Sequence, residues 1–382
     1  FDISFSGSKR PLCLIWNNAG MKAPDVLARL IQRQMAASGG WMGFDRFMAL
    51  ALYAPGTGYY SGSLPKLGLM PDSGSDFVTA PEMSPWFGRA LARSVREALT
   101  LTQTSEVWEF GAGSGALALQ LIEALGGALT HYHIVDLSGD LRRRQHNTLQ
   151  AHAERVVWHD ELPDRFNGVV VGNELLDAMP VQLLARLQGV WHERGVVGSD
   201  DPERPWAWAD RPTELRPPIQ IEGEHDYVTE VHPQAEAFVR TLAARLERGA
   251  AFLLDYGFPE GEYYHPQRHM GTLMCHQGHR SDPDPLVSVG SKDITAHVNF
   301  TGVALAAQDA GLNVLGYTSQ ARFLINSGLV DLLADASLPE RAMAQKLLTE
   351  HEMGELFKVI ALGSGEAWEP LGFAQGDRTH TL

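Results

Sequence analysis

The chain has 382 residues, 44% of them hydrophobic and 20% charged, with a formal net charge of -15 at pH 7. This length and balance belong to a globular protein of one large domain with additions, or of two domains, and the acidic charge excludes a surface built for nucleic acid, because affinity for a polyanion comes mainly from Lys and Arg on phosphates. Two cysteines, Cys13 and Cys275, leave neither a disulfide framework nor a thiolate metal cage and imply a reducing compartment, and no apolar run approaches the ~20 residues that span a bilayer, so no membrane insertion is expected.

Residues 1–20 read as a leader outside the fold, since helical periodicity begins only after Met21, the expected native start, and "PLCLIW" is too short for a secretory signal. Residues 21–101 read as N-terminal helices. Val26, Leu27, Leu30 and Ile31 share one face, Phe44, Phe47, Met48, Leu50 and Ala51 another, and Ser84 and Pro85 open a further helix as N-cap and first helical residue. Between them lies a long Gly, Pro and Ser stretch carrying Tyr53, Tyr59 and Tyr60. A loop of that length is either a lid or a mere connection.

From residue 102 to 180 strands and helices alternate: "VWEFGA", helix, "HYHIVD", helix, "RVVWH", then "GVVVGNE". This is the pattern of an α/β, doubly wound, Rossmann-like parallel sheet, with right-handed crossovers that bring the strand ends to one edge. Residues 181–223 read as an insertion: an antiparallel hairpin turning near Gly189, then a Pro-rich irregular stretch, "DDPERPWAWADRPTELRPP". Residues 224–365 resume the alternation with a helix over 233–247, the buried strand "AAFLLDYG", a polar loop rich in His, Tyr and Arg, a helix near 304–310, and the strands "LNVLGY" and "FKVIAL". A tail, 366–382, follows.

The stretch "VWEFGAGSGALALQ" runs a buried strand through Gly111, Gly113 and Gly115 into a helix. Glycines permit a sharp turn and close backbone approach, and the helix N-terminus offers unpaired N–H groups to an anionic ligand group. Two readings stand at this point. A relaxed dinucleotide fingerprint would make the chain a nicotinamide-dependent oxidoreductase, and the set Glu109, Gly111, Gly113 and Gly115 is equally the turn of an S-adenosylmethionine site; both assign Asp136 to ribose hydroxyls. Glu109 favours the second, because an acid there holds a cationic amino-acid end but repels a pyrophosphate. The fourth strand runs straight into Asn173, Glu174 and Asp177 in "GNELLDAMPV", and ligands of such sheets sit outside the carboxyl ends of the strands.

These segments, together with "FMALALYAPGTGYYS", "DFVTAPEMSPWFGRALA", "HIVDLSGDLRRRQ", "LLDYGF", "KDITAHVNFTGVA" and "MGELFKVIALG", resemble the MidA family, which includes a mitochondrial complex I assembly-factor arginine methyltransferase. The resemblance runs from about Phe44 to Gly363. It implies a class I methyltransferase fold with family-specific N-terminal helices and an inserted subdomain, and S-adenosyl-L-methionine as cofactor, converted to S-adenosyl-L-homocysteine. Glu109, Gly111, Gly113 and Gly115 would then hold the methionine part, with Asn173 beside the cofactor, Asp136 and Leu137 at the ribose, and Asp160 at the adenine amino group. Ser291 and Lys292 depart from the family pattern, as does "KLGLMPDSGSD".

The resemblance further implies a protein partner presenting an arginine, of respiratory-complex type. A guanidinium stays protonated and delocalised, so paired carboxylates are the apparatus expected to pin it. Glu174 and Asp177 fit that role, Asp255, Tyr256, His297 and Asn299 are candidates for the acceptor pocket, and Thr79, Pro81 and Glu82 for its wall or lid. The His/Tyr loop "YYHPQRHMGTLMCHQGH" lacks fixed metal-ligand spacing, so no metal is expected. A non-catalytic assembly or scaffold factor that keeps the cofactor pocket is the alternative. With no transit peptide after Met21, a bacterial cytoplasm is the expected compartment, a mitochondrial matrix that of a eukaryotic relative, and a homodimer the expected assembly.

Overall fold

The computed structural model describes residues 23–62, 78–136 and 139–382; the leader, residues 63–77 of the tyrosine-bearing loop, and Leu137 lie outside the described residues. The chain opens with α1 (Ala23–Ala37), β1 (Trp41–Gly43) and α2 (Phe44–Tyr53), followed by one helical turn, α3 (Ala80–Met83), and α4 (Pro85–Leu101). Leu27, Ile31 and Met35 recur at four-residue spacing and bury one stripe of α1. Pro85 starts α4 as expected, but the Ser84 side chain makes no cap bond.

β2 (Glu106–Phe110), α5 (Ala116–Leu125), β3 (His131–Val135), α6 (Gly139–Thr148), β4 (Val156–His159) and β5 (Phe166–Asn173) then alternate. Next come β6 (Gln182–Leu187), β7 (Val190–Gly198), β8 (Trp206–Pro212) and β9 (Tyr227–Val231), before α7 (Pro233–Arg245), β10 (Leu246–Phe258) and α8 (Glu260–Tyr263). The C-terminal part holds β11 (Met274–Gln277), β12 (Arg280–Asp282), β13 (Asp293–Thr295), β14 (Val298–Asn299), α9 (Phe300–Asp309), β15 (Asn313–Ser319), α10 (Gln320–Asn326) and β16 (Phe357–Gly363).

The central sheet has the order β15-β16-β10-β5-β2-β3-β4, with β14 added to the end of β10. β4, β3, β2, β5 and β10 are parallel, and β16 runs antiparallel between β10 and β15. This is the class I methyltransferase arrangement. Residues alternate between two cores: Val169, Val171, Phe252 and Leu254 face the side of α4 and α5, while Val170, Ala251 and Leu253 face α7 and α9. The order reverses between β2 and β5, so the crevice for a ligand opens outside their carboxyl ends.

The stretch expected to be irregular contains a regular strand. β8 pairs with β7 over seven residues, because Trp206 packs its ring on Phe47 and Trp208 on Phe44 and so gives the strand a buried partner in α2. The inserted sheet, β1-β7-β6-β9 with β8 on β7, extends past Gly223 to Val231 and recruits β1 from the N-terminal segment. The tail is ordered as well. It covers the free edge of β15 with hydrogen bonds from Tyr317 N to Asp377 Oδ1 (2.9 Å) and from Thr318 Oγ1 to Gly376 O (2.7 Å), and Phe373 enters the core.

β5 and β10 approach most closely at Gly168 and Gly249, where a β-carbon on Gly249 would lie 1.8 Å from Gly168 O. Gly249→Ala must therefore push the strands apart and is expected to cost about 1–3 kcal/mol or more. A β-carbon on Gly127 meets nothing within 4 Å, so Gly127→Ala should stay within about 1 kcal/mol of the parent. Urea unfolding of both variants checks this; equal midpoints would contradict the packing.

Candidate active site

The glycine turn leaves β2 with Gly111, Gly113 and Gly115 at φ of 66°, 55° and 84°. All three occupy the left-handed region that a β-carbon penalises, and Gly115 is the N-cap of α5. The turn is fixed from α6 by the buried Gln145, whose Nε2 donates to Gly113 O (3.1 Å) and to Asp136 Oδ2 (2.8 Å), while its Oε1 accepts from the Trp158 indole N–H (3.1 Å). Asp136, at the end of β3, is thereby tied to the loop. Asp160 follows β4, is 87% exposed and pairs with Arg142 at 2.8 Å.

Glu109 is 3% exposed and accepts the Tyr132 hydroxyl at 2.7 Å. Burial pushes its carboxyl up to about 8, against the pull of that hydroxyl and with a contribution from the Asp136 charge.

The second cluster stands at the ends of β5 and β10. Asp255 Oδ2 accepts three consecutive backbone N–H groups, from Leu175 (3.0 Å), Leu176 (2.8 Å) and Asp177 (3.2 Å), and its Oδ1 accepts that of Tyr256 (3.0 Å). Burial and the Asp177 charge push the Asp255 carboxyl upward while the bonds from Leu176 and Asp177 pull it back. With four N–H donors aimed at it, Asp255 is the acid of this cluster that best keeps a negative charge. The turn it caps follows Glu174, whose backbone is left-handed at φ 52° and whose N–H is anchored on Leu254 O at 2.9 Å. A non-glycine residue held there marks a site whose surroundings over-determine the conformation.

Asn173 donates to Glu174 Oε1 at 3.1 Å, and its own Oδ1 is buried without a hydrogen-bond partner among the described residues. Asp177, 5% exposed, accepts the Tyr256 hydroxyl at 2.5 Å on Oδ2, and its Oδ1 is likewise buried without a partner. Burial, then the Asp177 charge, push Glu174 up to about 8, and burial pushes Asp177 up to about 6 against the hydroxyl bond. Among the described residues no Arg, Lys or His pairs with Glu109, Glu174, Asp177 or Asp255.

Two residues expected in the acceptor pocket have side chains bonded to backbone. Asp255 gives its carboxylate to the backbone of the turn it caps. Asn299 is the N-cap of α9 and accepts Gly302 N at 3.2 Å. His297 packs edge-on against Tyr256 (5.2 Å) and Phe258 (5.1 Å); burial, then the Arg268 and Lys358 charges, push it down to about 4, so its ring is neutral at pH 7. Thr79 is the N-cap of α3, Pro81 O accepts Gln120 Nε2 of α5 at 2.7 Å, and Glu82 hydrogen-bonds Ser114 of the glycine turn, its carboxyl pushed up by burial.

Tyr132, Gln145 and Asp293 are not singled out by the sequence, which marks Tyr53, Tyr60 and Lys292 without a role in the site. Tyr132 and Gln145 hold the cofactor side. Tyr53 donates to Ala178 O (2.8 Å) and Tyr60 to Asp293 Oδ2 (2.9 Å), and Ala296 N donates to Asp177 O (3.0 Å). The unusual Lys292 is buried and holds Asp282 at 2.8 Å, fixing the loop that presents Asp293. No group of three or more His, Cys, Asp or Glu side chains suited to a metal stands together among the described residues, and no helix there is long and apolar enough to cross a membrane.

An acidic crevice beside a left-handed glycine turn suits a ligand with a ribose and positive centres, which S-adenosyl-L-methionine carries as its sulfonium and ammonium. The comparisons agree. The profile of a family of S-adenosyl-L-methionine-dependent methyltransferases matches residues 90–318. A Burkholderia thailandensis protein described as a candidate methyl transferase and solved with S-adenosyl-homocysteine is 51% identical, covering 94% of this chain and 97% of its own, with a TM-score of 0.89. Mitochondrial protein arginine methyltransferases of Danio rerio and Drosophila melanogaster are 27% and 29% identical, covering 88% and 76% of this chain and 86% and 75% of their own. These findings decide between the two cofactor readings: the chain belongs to the family of S-adenosyl-L-methionine-dependent methyltransferases.

Proposed function

We propose that the methyl acceptor is an arginine guanidinium on a partner protein, clamped by Glu174 and Asp177. The observation that carries this is the pair itself: two buried carboxyls on one tight turn at the carboxyl end of β5, without a cation among the described residues. The named activity of the Danio and Drosophila relatives supports it. On this reading Glu109, Gly111, Gly113, Gly115 and Asn173 hold the methionine part of the cofactor, Asp136 and Leu137 the ribose, and Asp160 the adenine amino group. The wider setting is a respiratory-complex-type substrate, supported by the resemblance, and a homodimer in a bacterial cytoplasm, supported by sequence reading alone.

Bound S-adenosyl-L-methionine supplies a methyl group on a sulfonium. The chain's own residues align the acceptor and exclude water, and alignment of this kind contributes about 7–11 kcal/mol to a two-reactant step. Glu174 and Asp177 localise the guanidinium charge and orient one nitrogen. Tyr256 positions Asp177 through the 2.5 Å hydrogen bond. Alkylation obliges the guanidinium nitrogen to shed a proton. Glu174, with a proton affinity raised to about 8, is suited to take it.

Glu174→Gln and Asp177→Asn should each lower turnover by about 100-fold, or ~2.7 kcal/mol in the barrier, while leaving S-adenosyl-homocysteine affinity within a few-fold of the parent. Single-turnover kinetics on an arginine-bearing partner, read by mass spectrometry, check this; full turnover in both variants contradicts the clamp.

Raised carboxyls also fix the sign of the pH dependence. In the ligand-free chain Glu109 and Glu174 hold protons up to about pH 8, whereas unfolded carboxyls release them near pH 4.5. Their contribution to stability is therefore full below the unfolded value and is lost as pH rises through about 8. A cationic ligand favours the ionised forms, so S-adenosyl-L-methionine binding at pH 7 should release protons and tighten from pH 6 to 8. Calorimetry in two buffers of different ionisation enthalpy measures this, and proton uptake would contradict it.

A further inference from the structure

α2 ends in Tyr53, and the turn after it carries Tyr60. The two rings stack at 5.6 Å with planes 19° apart. Their hydroxyls diverge to two segments far apart in the chain: Tyr53 to the carbonyl of Ala178, next to Asp177, and Tyr60 to the carboxylate of Asp293. The backbone of those segments is joined as well, since Ala296 N donates to Asp177 O at 3.0 Å. Asp293 is buried, with its Oδ1 held by the Ile294 N–H at 2.9 Å. The stacked pair thus ties the segment that follows Asp177 to the strand that carries Asp293. Burial opposes ionisation of Tyr53, and the charges of Asp293, Asp177 and Asp136 add to it. The Asp293 charge likewise reaches Glu174.

We infer that Tyr53, Tyr60 and Asp293 form the specificity wall of the acceptor site, with the flat guanidinium against the tyrosine pair and its charge between Glu174 and Asp293. The inference rests on the arginine reading above and extends it. A delocalised planar cation stacks on aromatic faces and is weakly hydrated, whereas a lysine ammonium is a strongly hydrated point charge with no plane to match. Carboxylates alone would hold either cation. The stacked tyrosines supply the discrimination, and the Tyr60 hydroxyl positions the Asp293 carboxylate.

The test uses the full chain saturated with S-adenosyl-homocysteine, titrated with Nα-acetyl-arginine amide and Nα-acetyl-lysine amide and read by saturation-transfer NMR. The wild type should bind the arginine probe at least tenfold tighter than the lysine probe. Asp293→Asn and Tyr60→Phe, the latter keeping the ring and removing only its hydroxyl, should each weaken the arginine probe about tenfold with S-adenosyl-homocysteine affinity unchanged. Tyr53→Leu should reduce the arginine preference itself. Wild-type binding that persists in all three variants overturns the wall and leaves the arginine reading standing. A wild type that binds neither probe, or both equally, overturns the arginine reading and the wall with it.

Discussion

The site depends on one carboxylate. Asp255, on β10, gathers the N–H groups of Leu175, Leu176 and Asp177 onto a single oxygen. Without that focus the turn after β5 has no reason to hold Glu174 in a left-handed backbone, which a β-carbon disfavours. With it, Glu174 and Asp177 are presented to the crevice and the Asp177 carboxyl meets the Tyr256 hydroxyl. The sheet makes this possible, because parallel pairing of β5 with β10 ends with Asn173 opposite Leu254, one residue before Asp255. Burial at that turn then raises the proton affinity of Glu174 and Asp177, with the Asp177 charge adding to the rise of Glu174. Fold, local strain and site electrostatics follow from the same contact.

The side of the glycine turn, where we place the cofactor, is built by the same economy. Gln145 bonds both the glycine turn and Asp136 from one amide nitrogen, and Tyr132 supplies Glu109 with its hydroxyl. Acids on this side and on the acceptor side are pushed toward neutrality in the ligand-free chain. Such a crevice is poised for cations: each positive centre that enters lowers the cost of ionising the acids around it.

Much of this is legible in the sequence, for identifiable reasons. Gly111, Gly113 and Gly115 are local signals, since the turn needs left-handed backbone at each. β2 to β5 announce themselves as apolar runs bounded by turns, and Glu174 and Asp177 are readable because a strand delivers them to the sheet edge. Where pattern reading fails, the cause lies in long-range packing. β8 is hidden by its prolines and revealed only by the fit of Trp206 and Trp208 against α2. That Asp255 and Asn299 cap backbone is not legible in one dimension, because an acid or amide at a strand end suits several roles until the neighbouring backbone is known. The link from Tyr60 to Asp293 spans more than half the chain and has no local signature.

The central claim is that the acids at the carboxyl edge of the sheet form a pocket for S-adenosyl-L-methionine around Asp136. Its most direct test is calorimetric titration of the full chain with S-adenosyl-L-methionine and S-adenosyl-L-homocysteine, alongside an Asp136→Ala variant of unchanged thermal midpoint. The account predicts saturable one-to-one binding of both ligands to the parent and its loss in the variant. Absence of binding to the parent, or equal affinity in the variant, would contradict it.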